Sequence, residues 1–227
     1  MDMGAQLRDI SKGFEIVASY PKFKNLPIII GESDPEGCAA CSEADYPHNA
    51  YRNGTLYASY TAASFARKYE LADHYGVNLL GAVTWGFEFE DQPWYAGFRD
   101  MATNGVDKPV LNVFRMFGMM EGQRVKVAQE HLVYDYLKIR DESVRGANPD
   151  INALASLSEN EVSIMVWNYH DKNDLNVVPA TIHIKVENVP TTKALLNHYR
   201  IDQELSNSYT EWKKMGSPQN PNTDEIE

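Results

Sequence analysis

The chain has 227 residues, 43% of them hydrophobic and 11% aromatic, and a formal net charge of −11. That is apolar material for one large or two modest packed domains, and it excludes a disordered chain. The acidic surplus repels phosphate backbones and argues against nucleic acid, a neutral glycan carries no such penalty, and no apolar run approaches the ~20 residues that span a bilayer.

In chain order, Leu7, Ile10, Phe14 and Val17 recur at helical spacing and predict a helix over 7–20, ended by Pro21. The first residues, Met1 to Asp9, have no basic region leading into an apolar run, so no secretory signal is visible. The continuous apolar run 26–31 suits a strand buried on both faces, and Glu32 follows at its C-terminal end. A turn-rich loop over 33–53 carries Tyr46, His48, Tyr51 and Arg52. It also holds Cys38 and Cys41, whose C-x-x-C spacing reads as a structural loop or local disulfide ahead of redox or metal chemistry, since a zinc site needs two further ligands and His48 is the lone candidate.

A stripe of Ala58, Ala62, Phe65, Tyr69 and Ala72 predicts a helix over 55–75 capped by Gly76. A second apolar strand is expected over 78–87, ending in Trp85 and followed by Glu88, Glu90 and Asp91. Pro109 opens a helix to about Met120. This alternation of helix and strand implies a parallel sheet. Beyond Gly122 the pattern changes: Val162–Trp167 reads as a strand, 170–174 as a polar turn, and Thr181–Val189 alternates strictly, with Ile182, Ile184 and Val186 on one face. An antiparallel sandwich is expected there, with the domains divided as 1–122 and 123–227 and a frayed tail from Ser217.

Carboxylates at the C-terminal ends of parallel strands are costly unless they have work or partners. Glu32 holds one such position, and the group Trp85, Glu88, Glu90 and Asp91 holds the next. Aromatic faces stack on the apolar faces of sugar rings and carboxylates accept from hydroxyls, so this is a sugar-site composition. Each residue also has a plainer reading: Glu32 as a cap or ion-pair member, Trp85 as core, the acids as a solvated loop.

These residues also carry a family likeness. The stretch Leu26-Pro27-Ile28-Ile29-Ile30-Gly31-Glu32-Ser33 resembles the seventh barrel strand of glycoside hydrolase family 39, with Gly31 where the family usually has Thr. Trp85-Gly86-Phe87 and Phe89-Glu90-Asp91 resemble the eighth strand, and Gly97-Phe98, Lys108-Pro109 and Asn112-Val113-Phe114 resemble the run that follows it. Val166-Trp167-Asn168-Tyr169 and the stretch Tyr199 to Gln219 resemble the family's accessory β-sandwich and the tail that packs back onto the domains.

The resemblance implies the C-terminal portion of a (β/α)8 TIM barrel followed by a β-sandwich. It implies retaining exo-hydrolysis of xylo-oligosaccharides, with Glu32 as nucleophile and Trp85, Glu90 and Asp91, with Glu88 and Tyr51 nearby, holding the sugar. It implies no metal and no cofactor. The family's acid/base lies in an Asn-Glu-Pro string that this chain lacks, Asn160-Glu161-Val162 being the nearest. The expectation is therefore a fragment without turnover of its own; its compartment is left open between a periplasmic or secreted parent, as glycan-degrading parents often are, and any other. The alternatives are a non-catalytic carbohydrate-binding module, a family member acting on another glycoside, or an interaction protein with no glycan role.

Overall fold

In a computed structural model the chain is described over residues 1–172, 179–189 and 193–226. Helix α1 (Met3–Ala18) starts one turn earlier than its apolar stripe suggests, because Asp2 accepts from the Ala5 amide at 2.8 Å and caps it. It buries Met3, Leu7 and Phe14. Gly4 permits a close crossing with α4 (Tyr136–Glu142): a Cβ there would lie 2.6 Å from the Ile139 carbonyl.

Strand β1 (Pro27–Ile30) pairs in parallel with β2 (Asn78–Ala82), with Pro27 opposite Asn78 and Ile30 opposite Ala82. Helix α2 (Thr55–Tyr75) is the crossover, so the expected β–α–β unit is present. β2 stops five residues short of Phe87, since the turn at Gly86, with φ +56°, takes the chain out of the ladder. α2 is buried nearly all round rather than along one stripe: Tyr57, Tyr60, Ser64, Arg67 and Lys68 are as hidden as Ala58 and Ala62. α3 (Pro109–Met119) packs on it through Phe114 and Phe117, which meet Phe65.

Of the expected barrel portion the structure holds this parallel pair with its helices, and among the described residues no barrel closes. β3 (Ala102–Thr103) and β4 (Val106–Asp107) make a small hairpin. β5 (Gln123–Val125), β6 (Asp150–Leu157) and β7 (Val162–Tyr169) form an antiparallel sheet in that order. Its inner face, Met165, Trp167 and Tyr169, joins the core of α1 and α2. Arg67 of α2 donates to Asp150 Oδ1 at 2.7 Å, and Trp167 Nε1 to Asp150 Oδ2 at 3.0 Å, so a buried ion pair ties helix to sheet.

The expected β-sandwich is not formed among the described residues. Thr181–Val189 forms no strand: its alternation suits a half-buried ladder, but Ile182, Ile184 and Val186 are all exposed, and no strand among the described residues covers them. His170 and Asp171 of the expected polar turn are buried while Lys172 is exposed: His170 Nδ1 accepts from the Lys172 amide and Nε2 donates to the Gly146 carbonyl at 2.9 Å. Asn173 and Asp174 lie outside the described residues. Helix α5 (Ser208–Lys214) packs Trp212 on Tyr95, ring centres 4.9 Å apart, and a short turn, α6 (Thr223–Ile226), is the last described element.

Candidate active site

The β1–β2 pairing sets the site. One further rung past the strands runs from the Val83 amide to the Ile30 carbonyl and from the Ser33 amide to the Val83 carbonyl. That rung brings 32–34 beside 83–85 at the C-terminal ends of both strands. Glu32 leaves the ladder there with half of its side chain exposed. It faces an open cleft of about 630 Å³, walled by Glu32, Asp34 and Glu36 on one side and by Asp2, Gln6 and Asp9 of α1 on the other.

Glu32 is held by a cation that sequence reasoning missed. Arg99 is buried and donates to Glu32 Oε1 and to the Glu36 carbonyl. Its Nε lies 3.6 Å from Asp34 Oδ2, an ion pair too long for a hydrogen bond. Asp34, also missed, has a buried side chain and accepts from Tyr57 Oη at 2.7 Å, from the Thr84 hydroxyl, and from the Trp85 amide at 3.2 Å. Burial first, and Asp34 beside it, push Tyr57 well above the usual phenol range, so its hydroxyl stays a donor. Gln6 bridges α1 to the site, donating to the Asp34 carbonyl and accepting from Tyr60 Oη. The signal in the sequence was slight: Asp34 follows Glu32 by two residues, and Arg99 adjoins the Gly97-Phe98 pair.

The other expected residues are scattered. Trp85 is 51% exposed and is joined to the Glu32 side through its amide on Asp34. Glu88 is engaged elsewhere, its Oε1 accepting from the Gly105 amide in the β3–β4 turn. Glu90 and Asp91 are exposed, Asp91 in the left-handed region at φ +54°. Tyr51 is buried, and its hydroxyl donates to Glu36 Oε2 at 3.2 Å. None of these five lines the cleft.

The loop 33–53 is tightly sewn. Cys38 and Cys41 form a disulfide with Cα atoms 5.4 Å apart, the local bond rather than a thiol or metal pair. Buried Arg52 donates to the carbonyls of Gly37, Cys38, Cys41 and Gly97, and lies 3.8 Å from Glu36. Among the described residues no group of three or more His, Cys, Asp or Glu is placed to hold a metal ion.

The family model described as Glycosyl hydrolases family 39 matches residues 5–227. The chain belongs to this family. Family 39 membership makes its chemistry O-glycosyl hydrolysis and its ligand a carbohydrate. No curated protein and no solved structure matches the chain. The family fixes the reaction class, and the geometry fixes which carboxylate stands at the strand end, half-exposed and paired to a buried guanidinium.

Proposed function

We propose that Glu32 is the nucleophile of a retaining, β-xylosidase-type site. The observation that carries this is its placement: the half-exposed carboxylate at the end of a parallel strand, oriented by buried Arg99, which Asp34 faces in turn. In this reading Glu32 attacks the anomeric carbon, the glycosidic bond breaks, and its electron pair leaves with the aglycone oxygen. Trp85, tied to Asp34 through its amide, and the exposed Glu90 and Asp91 of the loop after it would reach the terminal sugar from outside the cleft wall, the indole giving an aromatic face and the carboxylates accepting from hydroxyls. Tyr51 acts at one remove, holding Glu36 at the cleft wall.

The reaction needs a second carboxyl to protonate the leaving oxygen, about 5–5.5 Å from the first. Asp34 is occupied by Tyr57, Thr84, Trp85 and Arg99, and Glu36 by Tyr51 and Arg52. On the opposite wall Asp2 caps α1 and pairs with Arg145, and Asp9 pairs with Lys12, so among the described residues lining the cleft no unengaged carboxylate faces Glu32 for that role. The chain alone therefore processes only substrates whose leaving group needs no proton. With 2,4-dinitrophenyl β-xyloside we expect a burst of one equivalent of dinitrophenolate per chain and slow turnover after it. The burst vanishes in Glu32→Gln. Steady hydrolysis of unactivated xylobiose by the pure chain would overturn the missing-acid reading.

A second reading, carbohydrate binding without turnover, is favoured by the same lack of an acid. Its mark is xylotriose binding with no burst.

A further inference from the structure

A second pocket of about 430 Å³ lies on the far side of the disulfide loop, sharing no residue with the cleft: Gly37 lines one, Ala40 the other. Its size falls within the ~300–1,000 Å³ of small-ligand sites. It lies where the loop 33–53 meets 92–98. The Glu43 amide donates to the Ala96 carbonyl at 2.7 Å, an approach possible because residue 97 is glycine; a Cβ there would fall 2.8 Å from Glu43 Cβ.

One wall is Trp94, partly buried and held at both its backbone amide and its carbonyl. Its amide donates to Gln219 Oε1 at 3.0 Å and its carbonyl accepts from Gln219 Nε2 at 3.4 Å. Behind it Tyr95 packs against Trp212, so the indole rests on a fixed aromatic stack. The charged groups of the rim, Glu43 and Asp45, are acceptors, beside Ser42, Gln92 and Gln219, which can also donate. Glu43 takes one hydrogen bond, from Asn53 Nδ2 to Oε2 at 3.1 Å, leaving Oε1 without a donor among the described residues. Asp45 takes the Ser42 hydroxyl at 2.9 Å. A rigid aromatic face opposite carboxylate acceptors fits a ligand with an apolar ring face and a rim of hydroxyl donors, and it disfavours an anion.

We propose that this pocket is a second carbohydrate site, holding one ring of a neutral oligosaccharide on Trp94 with its hydroxyls donating to Glu43 and Asp45. The ligand class follows from the pocket's own chemistry; only the choice of xylose for the probe rests on the reading of Glu32.

The test is titration of the full chain with xylotriose, and in parallel cellotriose, by calorimetry. Two classes of site are expected. Trp94→Ala and Ala40→Arg, the second filling the mouth from an exposed position and leaving the aromatic stack intact, should each weaken one class by about tenfold or more. The class sensitive to Trp85→Ala should be unchanged by either. Binding that Trp94→Ala and Ala40→Arg both leave at wild-type strength overturns the pocket, as does no binding of either trisaccharide. A single class lost with Ala40→Arg but untouched by Trp85→Ala sustains the pocket and counts instead against the cleft as a sugar site.

Discussion

Replacing Arg99 by Met removes a buried cation that faces Glu32, Asp34 and the Glu36 carbonyl together. The cost can be worked from burial. Asp34 and Arg99 are both almost wholly hidden, and breaking a buried pair commonly costs about 3–5 kcal/mol because the surviving charge loses its partner. Here Asp34 keeps Tyr57, Thr84 and the Trp85 amide, which lowers the figure. The Glu32 contact adds ~0–1 kcal/mol, since that carboxylate is half-exposed and screened. We expect a loss of about 2–4 kcal/mol, read as a lower urea midpoint with an unchanged denaturant slope. Arg99→Lys keeps the charge but loses the fork that reaches three partners at once, and should fall between the two. The chemical readout is separate. With Glu32 free to swing, the dinitrophenolate burst should slow by about 100-fold, the scale of losses from a misplaced reacting group. An Arg99→Met chain with the wild-type urea midpoint and the wild-type burst rate would refute this account of the site.

Two further predictions concern groups around the site. Lys68 is buried in α2 with Ser64 Oγ as its hydrogen-bond partner at 3.2 Å, and burial, opposed in part by Asp34, depresses it to about 7. The native state then sheds a proton that the unfolded chain keeps, so this group's stability is fully present above the unfolded value and is lost as pH falls toward 7. The difference should be up to about 1.4 kcal/mol per pH unit between pH ~7 and ~10. Lys68→Met should remove that slope and stabilise the chain at pH 7; parallel urea midpoints for both proteins from pH 7 to 10 would count against it. Reducing the Cys38–Cys41 bond, which closes a short loop, should cost about 2 kcal/mol. The same loss is expected in a Cys38→Ser, Cys41→Ser double variant, and an unchanged urea midpoint in dithiothreitol would show that Arg52 alone organises the loop.

How much was legible depended on the kind of signal. Runs of strong periodicity or continuous apolarity, as in α1, α3 and Pro27–Ile30, name their elements directly. The β6 stretch Asp150–Leu157 did not, because its alanines and asparagine carry little strand preference and its place is fixed by pairing with β7. Thr181–Val189 had the right local pattern, but a strand also needs a neighbour, and alternation says nothing about that. At the site the glutamate after an apolar strand was visible from local order. Arg99 was not: it reaches Glu32 across 67 residues of sequence, and its meaning lies wholly in that juxtaposition. Tyr51 was picked for its loop, and burial shows its hydroxyl directed at Glu36 rather than at an open surface.

The most direct measurement is to trap the covalent intermediate. The folded chain is incubated with 2,4-dinitrophenyl 2-deoxy-2-fluoro-β-xyloside, digested, and its peptides mapped by mass. The account predicts one added fluoropentosyl group, on the carboxylate of Glu32 and on no other residue. A label on Glu36, Glu90 or Asp91 in place of Glu32, or a folded chain that takes up no label at all, would contradict it.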